Sequence, residues 1–291
     1  MKIVGAAVAG IVLASSFGAA SPPPEPAAVR SAAAHQTDRF FDARTFANAR
    51  ARVATVPVTA APRIRGMIVP HHWLAADLIA GAFRNLAAGG PVRRVILIGP
   101  NHIGAGGAAY ITSGLPWRTP YGAVSADIEG IRRIAEVKPR VLDGEHSIAG
   151  LVPVVAWSFP GATIVPVAVR AFPRPAEFQA MRDALAALMR DPATVLIASV
   201  DFSHYRSVPE AGRRNAETVA ALSALDTDRV MGWSNEHMDS PASIALLMET
   251  MRAIGATGFE LWADTSSASF GGRSTAPDVT SYVTASYVLT P

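Results

Sequence analysis

The chain has no cysteine and only two lysines, Lys2 and Lys138. Without cysteine there are no disulfides, no thiolate metal ligands and no cysteine nucleophile, so the fold rests on its core alone. Charged residues make up 17% of the 291, too few for a coiled coil or a disordered acidic or basic protein. The net charge is +3 and the arginines are scattered, so no basic stripe points to nucleic acid as a partner. His-Glu-x-x-His, Gly-x-Ser-x-Gly and a phosphate-cradling glycine loop are all missing. Past the first 20 residues no apolar run is long enough to cross a membrane.

What is present is apolar: half of the residues are hydrophobic, ample for one large domain. Residues 1–20 combine Lys2, an apolar stretch and the small residues Gly18-Ala19-Ala20. This reads as a secretory signal cleaved near Ala20, and so as an exported, periplasmic or extracellular protein. The alternative is an uncleaved N-terminal anchor, the one membrane contact the sequence offers. Residues 21–60 are rich in Pro and Ala and read as a tether with one short helix, leaving 61–291 as the domain.

From Arg63 onward, apolar runs of strand length alternate with helical stretches. Strands are expected at 64–69, 92–98, 163–169, 194–199 and 281–289. Helices are expected at 73–87, 125–137, 147–158, 176–190, 209–225 and 242–254. The pattern predicts an α/β fold, a mostly parallel central sheet with helices on both faces. Ligands bind such sheets beyond the carboxyl ends of the strands.

Four of the seven histidines fall at or near that edge. His71 and His102 each directly follow a strand, in Val-Pro-His and Gly-Pro-Asn-His. His204 follows another, in Ser199-Val200-Asp201-Phe202-Ser203-His204, and His146 opens a helix after Glu145. Neutral imidazole is the commonest protein metal ligand, and an open site needs three protein ligands. Asp201 and Glu145 are suited either to ligate or to accept a histidine N–H. His72 reads as a helix cap or a neighbour of the metal, His237 as a surface residue, and His35 as part of the tether. Trp117 and Tyr121 suit the pocket mouth and the core equally.

Taken together, Pro70-His71, Gly99-Pro100-Asn101-His102, Trp117-Arg118-Thr119-Pro120-Tyr121-Gly122, Glu145-His146-Ser147-Ile148 and Ser199 to His204 carry a resemblance. From Gly66 to the C-terminal Thr280-Ser281-Tyr282-Val283, the chain resembles the Memo family, called in prokaryotes AmmeMemoRadiSam system protein B. That resemblance implies a fold related to class III extradiol dioxygenases. It also implies metal ligands at His71 and His102, with the third at Ser269, where the family has a cysteine or an acidic residue; Asp264 is the alternative. His146, Asp201 and His204 would then be catalytic, in acid–base or orienting roles. The implied cofactor is a divalent metal, iron first, with copper or zinc as alternatives. The implied function is an oxidoreductase of dioxygenase type acting on a small molecule. A non-catalytic metal-binding or interaction protein and a zinc-dependent hydrolase are the alternatives, and self-association stays open.

Overall fold

Four largely apolar runs become four adjacent parallel strands. The computed structural model describes residues 33–56, 58, 63–271 and 278–289. Its strands are β1 (His35–Gln36), β2 (Ile64–Val69), β3 (Arg94–Pro100), β4 (Tyr110–Thr112), β5 (Trp117–Thr119), β6 (Gly122–Val124), β7 (Glu136–Val137), β8 (Thr163–Val169), β9 (Thr194–Ser199), β10 (Gly258–Ser266) and β11 (Ser281–Val288). Its helices are α1 (Ala43–Val53), α2 (Ala76–Ala88), α3 (Pro139–Asp143), α4 (His146–Ala149), α5 (Val152–Ser158), α6 (Pro175–Leu188), α7 (Val208–Ala224), α8 (Thr227–Met231), α9 (Pro241–Ala253) and α10 (Ala268–Gly271).

The main sheet has eight strands in the order β10-β11-β2-β9-β3-β8-β4-β7. β2, β9, β3 and β8 are parallel, while β11 and β4 flank them antiparallel. Both faces are covered. Ile96 and Ile98 of β3 pack into one core with Met181, Leu222 and Leu247 from α6, α7 and α9. Val95 and Leu97, pointing the other way, pack into a second core with Phe46, Ile79 and Val155 from α1, α2 and α5. Each of these fully buried aliphatic side chains contributes about 1.5–3 kcal/mol, which is why the central strands carry no alternating polar residues. Because β2, β3 and β9 run the same way, the residues that follow them all emerge at one edge of the sheet.

Several expectations need correcting. The compact unit begins at Ala33 rather than at 61, because β1 pairs with β5 and α1 packs Phe46 and Ala49 into the core. Residues 125–137 form no helix. The amides of Asp127 and Ile164 donate to the carbonyls of Ile164 and Ser125, so the segment is captured at the edge of β8. The helix expected at 147–158 is two helices, since Pro153 near the start of α5 has no amide to continue the first. The nine-residue β10 has no counterpart among the expected strands; it is a half-exposed edge strand with mixed polarity. The expected signal and residues 21–32, 57, 59 and 60 of the expected tether lie outside the described residues. Among the described residues, no helix is long and apolar enough to cross a membrane.

Candidate metal centre at the strand ends

A cavity of about 730 Å³ opens at the carboxyl edge of the sheet, lined by His71, His72, His102, His146, Asp201 and His204. Phe40, Phe41 and Trp73 supply an aromatic wall. The two phenylalanines are a correction to the sequence-based expectation, in which residues 38–42 belong to the tether.

His71 leaves β2 through Pro70 and is almost completely buried. Its backbone N–H donates to Asp201 Oδ1 at 3.1 Å. Its Nδ1 lies 3.2 Å from Ser199 Oγ, whose own hydroxyl already donates to the Ser147 carbonyl. Ser199 can therefore only accept, which places the His71 proton on Nδ1 and leaves Nε2 with a lone pair. Burial first, then the neighbouring His102 and His146, hold the His71 pKa well below its ordinary value, so the ring is neutral. Nε2 sits 3.3 Å from Asp239 Oδ2 and 3.6 Å from Asp201 Oδ2.

His102 is held in the same manner by Glu145. Its backbone N–H and its Nδ1 donate to the two carboxylate oxygens at 2.8 and 2.7 Å. Glu145 is fully buried and caps α4, also accepting from the amide and hydroxyl of Ser147. Burial alone would raise its pKa, but the bonds from His102 and Ser147 outweigh burial and hold it below the usual carboxylate value. The His102 Nε2 is thereby aimed into the cavity, 3.6 Å from Asp239 Oδ2. This packing depends on Gly99: a Cβ there would lie 2.6 Å from Ser147 Oγ, forcing α4 away from β3.

His146, at the start of α4, is partly exposed. Its ring stacks on His102 at 4.1 Å and meets His71 edge-on at 5.0 Å. One nitrogen from each of His71, His102 and His146 lies within 4.8 Å of the others, and so do donor atoms of His71, Asp201 and Asp239. These histidines and aspartates are able to hold a metal ion. His204 faces the cavity with a buried Nδ1 that has no hydrogen-bond partner among the described residues, its pKa lowered by burial. Burial raises the pKa of Asp201.

The other histidines are held by different contacts. His72 caps no helix with its side chain; its Nδ1 is hydrogen-bonded to the Tyr282 hydroxyl at 2.6 Å. His237, expected at the surface, is buried, stacked on Trp233 at 4.2 Å and paired with Glu217. Trp117 is fully buried against His35, and Tyr121 packs on Phe41 and Trp157, so both belong to packing. Ser269 is exposed on α10 with its hydroxyl 2.8 Å from Thr265 Oγ1. Asp264 turns to Asn215. Asp239 is not among the residues expected at the site. No local signal marks it, because it reaches the site through a bridge between Phe202 and Met238 and not through any motif.

These features define a class: α/β proteins that gather histidines and carboxylates at the carboxyl edge of a largely parallel sheet. Within that class the chain belongs to the Memo-like protein family, whose model matches residues 43–286. It is similar to a MEMO1 family protein of Methanopyrus kandleri, 28% identical over 214 residues, covering 67% of this chain and 74% of that one. A MEMO1 family protein of Methanothermobacter thermautotrophicus is likewise 28% identical, over 68% of this chain and 76% of its own. One from Caldivirga maquilingensis is 26% identical over 68% and 74%.

Proposed function

We propose that this Memo-like protein is a metal-dependent oxidoreductase of dioxygenase type, with iron as the first choice of metal and copper as the second. The observation that carries this reading is the pair His71 and His102. Each ring has Nδ1 tied down, to Ser199 and Glu145, and Nε2 aimed at a shared space. Fixing the outer nitrogen orients a ligating imidazole and raises its basicity. When bound, a ferrous ion in an incomplete ligand set supplies open positions on which a substrate and O₂ meet.

The surrounding residues have roles that follow from their settings. His146 and His204 have lowered pKa values, burial being the first cause, so they are neutral near pH 7 and ready to take a proton from an acidic substrate hydroxyl. Asp201 anchors the His71 backbone and so fixes where that ring stands. Phe40, Phe41 and Trp73 favour a small substrate with an apolar or aromatic face.

A zinc-dependent hydrolase is the second reading, favoured by the three-histidine set His71, His102 and His146. Elemental analysis of the full chain, purified without oxygen, separates the two. Equimolar iron or copper supports the redox reading, zinc supports hydrolysis, and no metal leaves a non-catalytic binding protein. Equal metal loading in His71→Ala plus His102→Ala protein would falsify both metal readings. Oxygen uptake with catechol-type compounds is the activity test that follows iron loading.

A further inference from the structure

We infer that Asp239 is the third metal ligand of this chain, completing a set of two histidines and one carboxylate. This deepens the proposed function and rests on His71 and His102 being ligands. Asp239 Oδ2 lies 3.3 Å from His71 Nε2 and 3.6 Å from His102 Nε2. Donors that surround one ion at about 2.1 Å stand about 3–3.5 Å from one another.

Electrostatics point the same way. Ser199 fixes the His71 tautomer so that Nε2 carries a lone pair. A lone pair and a carboxylate oxygen facing each other at this range repel unless a proton or a cation lies between them. Asp239 is also over nine-tenths buried, and its Oδ1 has no hydrogen-bond partner among the described residues. A buried carboxylate oxygen left unpaired is costly, and a coordinated ion or its water removes that cost.

Asp239 is also rigidly held. Its amide donates to the Asp201 carbonyl at 3.0 Å, and the Asp201 amide donates to Asp239 Oδ2 at 3.3 Å. Asp239 is thereby locked to the end of β9, immediately before the N-cap Ser240 of α9. The rivals are worse placed. Asp201 faces His71 Nε2 alone, at 3.6 Å, whereas a single oxygen of Asp239 faces both histidines. Ser269 is a neutral hydroxyl turned to Thr265 and brings no charge against a dication. His146 is left free to meet substrate on the cavity side.

The test is calorimetric titration of the full chain with zinc, and anaerobically with ferrous ion. It compares the parent protein, Asp239→Asn, Ser269→Ala, and His71→Ala plus His102→Ala. Loss of a residue that only orients a ligand costs about 10–100-fold in affinity, so Asp239→Asn should cost more than about 100-fold. Ser269→Ala should change nothing. The metal-free Asp239→Asn protein should melt at or above the parent, because an amide next to Asp201 removes a like charge. Parent-like affinity in Asp239→Asn, with binding lost in the double histidine variant, overturns Asp239 and leaves the histidines standing. Loss of binding in Ser269→Ala with retention in Asp239→Asn likewise overturns Asp239. No binding by the parent overturns both readings. If Asp239→Asn folds poorly, the visible spectrum of the cobalt-loaded Asp239→Glu protein decides: a shifted band is expected, and an unchanged band overturns the inference.

Discussion

Two groups of histidines share this molecule, and they differ in what their rings have left to offer. His35 spends both nitrogens. Nδ1 bonds Asp143, Nε2 sits 2.7 Å from Ser113 Oγ, and the ring lies 4.1 Å from that of Trp117. Serine, histidine and aspartate are the residue types of a hydrolase triad, yet Ser113 and His35 are both 0% exposed, so no substrate reaches them. They clasp β1 to the body of the domain. His71 and His102 also have one nitrogen held, but each turns the second into the cavity, toward Asp239 Oδ2 at 3.3 and 3.6 Å. A histidine signals function when one nitrogen is fixed and the other is kept free.

The largest effect expected from breaking this contrast is structural. His35→Ala removes a buried ring from its place against Trp117 and strands the Ser113 hydroxyl. Together these should cost about 3 kcal/mol, read as a lower midpoint in denaturant unfolding. Asp143 adds little to that loss, since its side chain is half exposed. Metal stoichiometry should not change. If His35→Ala loses metal while unfolding like the parent, the division between the two groups is wrong.

The same contrast separates what is legible in the chain from what is not. His71, His102, Asp201 and His204 are legible because each follows a largely apolar run, and strand ends in such a sheet are where ligands bind. The parallel sheet is legible for the same reason. His35 is not, because a two-residue strand in a Pro- and Ala-rich setting has no periodicity to detect; its partners lie 78 and 108 residues away. Asp239 and His237 escape for a related reason. Their environment is set by contacts with Asp201 and Glu217, which no local window contains. Residues placed by their own strand are readable, whereas residues placed by a partner far along the chain are not.

Next in size is an effect on the group that orients the metal ligand. Glu145→Gln keeps the shape but removes the charge that holds His102 Nδ1–H. Metal affinity should fall about 10–100-fold, measured by competition with a chromogenic chelator. The amide still offers an oxygen to the start of α4, so stability should change little. Unchanged affinity would mean that His102 needs no orientation from behind, and that its held nitrogen is as incidental to metal as those of His35.

The smallest expected effect is a dependence on pH, and its sign follows from where protons sit in the metal-free protein. Burial works against a charged His102, but the carboxylates of Asp239 and Glu145 prevail and push its pKa up to about 10. Burial first, and then the charge of Asp201, raise Asp239 to about 7. His71 is already neutral. An incoming ion must therefore displace one proton from His102 at any pH below about 10, and a second from Asp239 below about 7. Affinity should rise with pH, close to a hundredfold per unit below about 7 and close to tenfold per unit above it. Calorimetry in buffers of different ionisation enthalpy counts the released protons directly. A constant tenfold slope throughout would keep His102 as a ligand and remove Asp239. A flat profile would remove both, because it would mean that the free nitrogens of this cavity are as idle toward metal as those of His35.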